Sequence, residues 1–380
     1  MKTNLNLLKK IKSNKFSIYI LLLLIFFLLL FYFGDRNEGL YKRTIAKVLS
    51  VSNTNVKSSS TNVLTEPLTK QKITAVIMNG TFKGQKISLE NTTSYSQARD
   101  FKLTKGNEVF ISIKLNSKNK ISSASILDLK RDKYLIYIVA IFILLILIIG
   151  RLKGLKSLSS VLLNIAIFSI AIELFMAGVN LVVACIIASV LFIVLSLIIV
   201  CGINKKAASA IIGTLLGTSI TMLIAMIVIL TNSANGIHFE ELNFLNHPPK
   251  PIFYMEILIG TLGAIMDIAV SISSSIGEIF LQNPSIETKS LINSGMEIGK
   301  DIMGTMANTL SFAYISGSIP VIIVLMANNF SLSNIVTLNI SLEITRALIG
   351  SIGIVISIPV CIFTSIFFLK NKKIGGFMKS

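Results

Sequence analysis

The residues that carry most enzyme chemistry are scarce in this sequence. It has three cysteines and two histidines in 380 residues. Cys185, Cys201 and Cys361 each lie inside an apolar run, with neither metal-ligand spacing nor a disulfide framework, and read as small buried hydrophobes. His238 and His247 share a polar loop with Glu240 and Glu241 but lack the helical spacing of a metal pair, so no metal site is expected. No phosphate-binding glycine loop, no HExxH and no GxSxG turn occurs, which makes an enzyme the weakest class and leaves no cofactor implied. Acidic residues are also few: 18 Asp and Glu stand against 36 Lys and Arg, a net charge of +18. The bases crowd the flanks of apolar runs and one polar segment, a distribution that fits membrane topology and anionic lipid headgroups rather than nucleic acid.

What the sequence has in quantity is hydrocarbon. With 53% hydrophobic residues and a mean hydropathy of +0.76, the chain reads as an α-helical polytopic membrane protein. Residues 1–33 form a lysine-rich tail and an anchor, Phe16–Phe33, with no small-x-small cleavage site after it. Residues 34–133 change character: short β-rich runs at Thr44–Val51, Lys72–Met78, Gln85–Leu89, Glu108–Leu115 and Ile121–Leu129 alternate with Asn, Gly, Ser and Lys clusters. They predict a small extracytoplasmic all-β domain, OB-like or a small sandwich, with Ser50–Thr69 as a polar loop. Residues 134–380 predict seven further spans, at Tyr134–Ile149, Leu158–Met176, Val179–Val200, Ala207–Leu230, Ile252–Phe280, Thr305–Ala327 and Ile344–Leu369. Eight spans in all place both termini in the cytoplasm, because Lys and Arg then concentrate in every loop on that side.

The span Ile252–Phe280 carries the strongest functional pattern. Glu256, Gly260, Gly263, Asp267, Ser271, Ser274 and Glu278 recur in steps of four and three, which puts them on one helical face. The three acids are spaced roughly 16 Å apart at 1.5 Å per residue, so the outer two reach across a bilayer core and Asp267 lies near its middle. A carboxylate at that depth costs about 2.5–3.5 kcal/mol on insertion scales and must face protein or water. Its modest reading is hydrogen-bonded packing between helices; its functional reading is a step on a proton or substrate pathway. Glu343 and Arg346 are placed with Glu256 toward the outer leaflet, and Lys300 and Asp301 with Glu278 toward the inner one. Asn308 continues the polar face of the next span. Gly317 and Pro320 in that span, and Pro359 in the last, predict helix breaks, since proline lacks the N–H that a helix needs. Gly213 and Gly217 form one GxxxG spacing, a packing signal.

Three stretches carry a family resemblance. They are Gly263–Asp267 with Ser271–Ser275 and Glu278; Ser294–Met306 with Asn308–Leu310; and Glu343–Arg346 with Gly350–Gly353. Their order and spacing resemble the YibE/F family of bacterial multipass membrane proteins along essentially the whole chain. Lys300 departs from the Arg that relatives often carry, keeping charge without the planar fork. The resemblance implies a multipass protein of the bacterial cell membrane, described as a permease without an assigned substrate.

Two functions follow as expectations. A secondary transporter would use Asp267 as its ionisable centre, with Ser271 and Ser274 leading toward Glu278, and would carry an unknown small solute or ion. An assembly protein would instead hold an envelope protein through the β domain, or pair with a second copy of itself.

Overall fold

The computed structural model describes residues 25–34, 36–56, 68–95, 97, 100–117, 119–231, 239 and 248–371. Two compact units divide the chain, Met1–Arg151 and Leu152–Ser380.

In the first unit a short apolar helix, α1 (Ile25–Gly34), leads through a 3-10 turn (Glu38–Leu40) into five strands. They are β1 (Thr44–Val56), β2 (Leu68–Ile77), β3 (Lys86–Thr93), β4 (Glu108–Leu115) and β5 (Ile121–Leu129). Every pairing is antiparallel, in the order β3-β2-β1-β4-β5. β1 pairs with β2 on one edge and β4 on the other, and a register shift between Val48 and Ser50 bends it, as a strand must bend to curl a small sheet toward closure. Alternate residues fill the interior: Ala46, Val48, Ile73, Ala75, Ile77, Leu89, Val109 and Ile111 are buried together with Leu103. The last two strands fall where the sequence predicts them. The polar loop expected over Ser50–Thr69 is shorter, because β1 runs to Val56 and β2 starts at Leu68, with Asn53 opposite Gln71 and Asn55 opposite Thr69. Composition suggests a loop there, but a paired neighbour supplies the ladder hydrogen bonds that outweigh low strand propensity. Residues 57–67, between the two strands, lie outside the described residues.

A buried cluster ties the two ends of the β domain together. Lys130, 5% exposed, lies 2.8 Å from Glu108 and 3.1 Å from Asp132. Asp132 also accepts hydrogen bonds from Asn37 (2.6 Å) and Tyr41 (2.8 Å). The incoming and outgoing chains therefore meet on one carboxylate. Burial pulls the Lys130 ammonium toward deprotonation, yet hydrogen bonds to Glu108 and Asp132 more than offset this and hold its pKa above that of ordinary lysine. Burial, then the bond to Asp132, raises the Tyr41 phenol as well. Groups with raised folded pKa values contribute stability that is complete below their unfolded pKa and is lost as pH rises through the folded one. Protease resistance of residues 44–129 in the full chain should thus be flat from pH 7 to 9 and fall above about pH 10. Lys130→Met should lower it at neutral pH, by leaving Glu108 and Asp132 without their cation, and reduce the further alkaline fall.

Among the described residues six helices are long and apolar enough to cross a membrane: α2 (Asp132–Met176), α3 (Leu181–Cys201), α4 (Lys205–Thr231), α5 (Pro249–Gln282), α6 (Thr288–Ala327) and α8 (Ser341–Lys370). Between α6 and α8 lie one turn, α7 (Leu332–Asn334), and a π-helical turn, Ile335–Ile340. The sequence predicts eight spans, and the count differs in two places. The predicted anchor is described only from Ile25 onward. The predicted spans Tyr134–Ile149 and Leu158–Met176 fall within α2, where the connection is no loop but one non-helical residue, Arg151 (φ 47°, ψ −127°).

The core of the second unit is built on α8. Ile354, Ile358, Cys361 and Ile362 of α8 interleave with Ile268, Ala269, Ile272 and Ile276 of α5, and Ala210 of α4 and Phe192 of α3 close the cluster. The GxxxG spacing of α4 has a packing role: a Cβ on Gly213 would come within 2.9 Å of Cys361 Sγ, and one on Gly217 within 3.2 Å of Ser357 Cβ. The bare backbone lets α4 and α8 approach closely. The helix breaks predicted at Gly317, Pro320 and Pro359 do not occur, since α6 and α8 run on through both prolines. Each proline removes one donor, and neighbouring turns hold the helix on either side.

Candidate functional site

α5 buries its apolar side and leaves its polar side open. Phe253, Ile257, Leu258, Leu262, Ile265, Ile268, Ile272 and Ile276 are buried. On the opposite face Glu256, Gly263, Asp267 and Glu278 are exposed, and Gly260, Ser271 and Ser274 are half-buried. Burial thus divides the helix as the spacing of its polar residues predicts, but the polar face is not packed into the bundle. Asp267 lies 18 residues from the start of α5 and 15 from its end. It makes no hydrogen bond or ion pair among the described residues, and neither do Ser271 and Ser274.

The outer acids behave differently from Asp267 and from each other. Arg346 of α8 is 7% exposed and reaches Glu256 of α5 through Nη2 and Glu343, one turn earlier on α8, through Nη1, both at 2.5 Å. Its guanidinium carbon lies 5.1 Å from the ring centre of Phe253. The three charges that the sequence places at one end of the membrane domain are therefore one bonded triad that fastens α5 to α8. The π-helical turn at Ile335–Ile340 leads directly into the start of α8, where this triad is formed. Tyr314 of α6 stands beside it, with its hydroxyl against Gly260, where a Cβ would collide with the phenol. That hydroxyl is buried and has no hydrogen-bond partner among the described residues, and the same holds for Nε of Arg346.

At the other end Glu278 takes Lys206 of α4 as its partner, at 2.6 Å, and the lysine stem lies over Gly277 to reach it. Lys300 pairs with Glu297, one turn away on α6, at 2.7 Å. No ion pair among the described residues joins Glu278 to Lys300, and Asp301 and Asn308 are exposed on α6. The predicted inner cluster thus resolves into two separate pairs, because residues on neighbouring helices meet only where the helix faces turn toward one another.

Sequence reasoning missed Lys206, which it treats as a topology signal, and assigned no role to Tyr314. The glycine at 260 was the available clue to Tyr314: a small residue on a polar face marks where another side chain enters. It also missed the buried contact between Ser273 of α5 and Ser365 of α8, at 3.0 Å, although both serines lie in the predicted spans.

Two family models match the chain. The YibE/F-like protein model covers residues 138–371, and the YibE/F family N-terminal domain covers residues 39–129. The chain belongs to the YibE/F family. The two matches separate a β part and a helical part, as the structure does, and the helical match contains the whole polar face of α5 and the triad. Comparisons with curated proteins and with solved structures find no match. As a YibE/F protein with several apolar helices, it is a multipass membrane protein. Among the described residues no group of three or more His, Cys, Asp or Glu is placed to hold a metal ion.

Proposed function

We propose that this YibE/F protein is a permease of the bacterial cell membrane, a secondary transporter that couples solute movement to protons through Asp267. The observation that carries the proposal is the open carboxylate, without a partner among the described residues, midway along a helix whose other side is buried. In hydrocarbon such a group is costly, so water or a moving solute must reach it. A carboxyl group that takes up a proton on one side and releases it on the other links two fluxes. Ser271 and Ser274 continue the same face toward Glu278 and can carry hydrogen-bonded water. In this reading eight spans leave both termini in the cytoplasm and the β domain outside.

The β domain favours a second reading. A cavity of about 890 Å³ lined by Arg36, Lys42, Lys47 and Lys83, with Glu38 as its acid, gives it a basic recess suited to an anionic component of the envelope. An assembly protein acting through that recess would be indifferent to the chemistry of residue 267.

Proteoliposomes under an imposed pH gradient separate the two. Asp267→Asn keeps size and hydrogen bonding but cannot titrate. It should reach the membrane at normal abundance and lose all gradient-driven flux, whereas a packing role predicts that Asn is tolerated and Leu destabilises. Full gradient-driven flux in a well-inserted Asp267→Asn protein would end the proton-coupling proposal.

A further inference from the structure

A recess of about 510 Å³ opens beside the triad, within the range of small-molecule sites. Its walls are apolar and include Phe168, Phe175 and Ile259, and its polar end is Glu256, Tyr314 and Arg346. We propose that this recess binds an amphipathic organic cation, an ammonium group carrying N–H donors on an apolar body.

Charge decides the class. Two carboxylates and one guanidinium leave the triad one negative charge in excess when both acids are ionised. Arg346 engages one oxygen of each acid, so Oε1 of Glu256 has no partner among the described residues. An ammonium placed there would cancel the excess charge, donate to that oxygen, and meet the oxygen of Tyr314, whose buried hydroxyl has no other partner among the described residues. An anion could accept from Tyr314 and from Nε of Arg346, but it would double the uncompensated negative charge beside a carboxylate that already lacks a full counter-charge. A neutral molecule would leave the excess in place. The rings of Phe168 and Phe175 suit the apolar body of the ligand and the positive charge near it. Gly260 admits the phenol to the recess, so the polar end is assembled from three helices rather than one. The inference deepens the permease reading by naming the class of solute. It is tested by binding without flux, so its failure would leave that reading standing.

The probe set is 4-phenylbutylammonium, 4-phenylbutanol and 4-phenylbutyrate, which share a body and differ in charge. Binding to the full chain in phosphatidylcholine nanodiscs would be measured by equilibrium dialysis at pH 7.5, with empty nanodiscs subtracted. The ammonium should bind saturably, about tenfold tighter than the other two, the factor that one charge-assisted hydrogen bond supplies. Glu256→Gln should remove the preference, and Tyr314→Phe should weaken the ammonium alone. Ile259→Trp fills the recess without altering a charged group and should abolish binding of the ammonium; it decides the matter if Glu256→Gln inserts poorly. Tighter binding of the butyrate, equal binding of all three, or ammonium binding unchanged in Ile259→Trp would each overturn the proposal.

Discussion

Arg346→Leu should destabilise the helical unit by about 3 kcal/mol, enough to empty the membrane of most of the protein or to lower its melting temperature in detergent sharply. The loss comes less from the missing ion pairs than from what remains. Glu256 and Glu343 would face each other without a cation, with side chains 41% and 24% exposed around an arginine whose own side chain is 8% exposed. Partial exposure of Glu256 keeps the figure at the low end of the usual range for a broken buried pair. Glu343→Gln should cost much less, because Arg346 keeps Glu256. Neutralising all three, with Arg346→Leu, Glu256→Gln and Glu343→Gln together, should recover a large part of the stability, since no buried charge is then left alone. Melting curves of the purified full chain distinguish these cases. A triple variant as unstable as Arg346→Leu would show that packing of the arginine stem, not charge, holds α5 to α8.

Gln71→Leu should have a comparable effect on the β domain. Gln71 is 1% exposed, and its amide makes four hydrogen bonds. Its nitrogen donates to Asn53 Oδ1 at 2.9 Å and to the Leu103 carbonyl at 3.0 Å. Its oxygen accepts from the Leu103 N–H at 2.9 Å and from Asn91 Nδ2 at 3.0 Å. A single side chain thus joins β1, β2 and β3 and pins the segment before β4. Leucine fits the space but orphans both backbone groups of Leu103, at about 1–3 kcal/mol for each, while Asn91 keeps its bond to the Phe101 carbonyl and Asn53 is exposed, so a total near 3 kcal/mol is expected. Hydrogen exchange on the full chain should accelerate strongly in residues 68–77 and 100–107 while α3 and α4 are unaffected. Unchanged exchange would mean that water replaces the amide and the site is not closed.

Several parts of this architecture are legible in the sequence. Glu108–Leu115 and Ile121–Leu129 alternate in period two and are bounded by turn residues, so local pattern places them correctly. The four-and-three spacing on α5 likewise separates the face that packs from the face that does not, because helical geometry alone puts those residues in line. Other parts are not legible, for one common reason. Pairing across helices depends on rotation and axial offset of the helices, and neither is written in local spacing. Glu278 joins Lys206 rather than Lys300, Tyr314 enters at Gly260, and the prolines at 320 and 359 leave their helices continuous.

The sequence by itself determined the class: a membrane protein with a small β domain, an acidic ladder on one helix face, and no enzyme signature, because hydropathy and periodicity are sums over neighbouring residues. Only the tertiary structure decided that α8, not α5, is the hub against which α4, α5 and α6 pack, and that the ladder consists of one bonded triad, one open carboxylate and one surface pair. The physical reason is close packing. Gly213 and Gly217 admit α8 against α4, and Gly350, one turn after Arg346, lets α8 approach Thr261 of α5, the helix that carries Glu256.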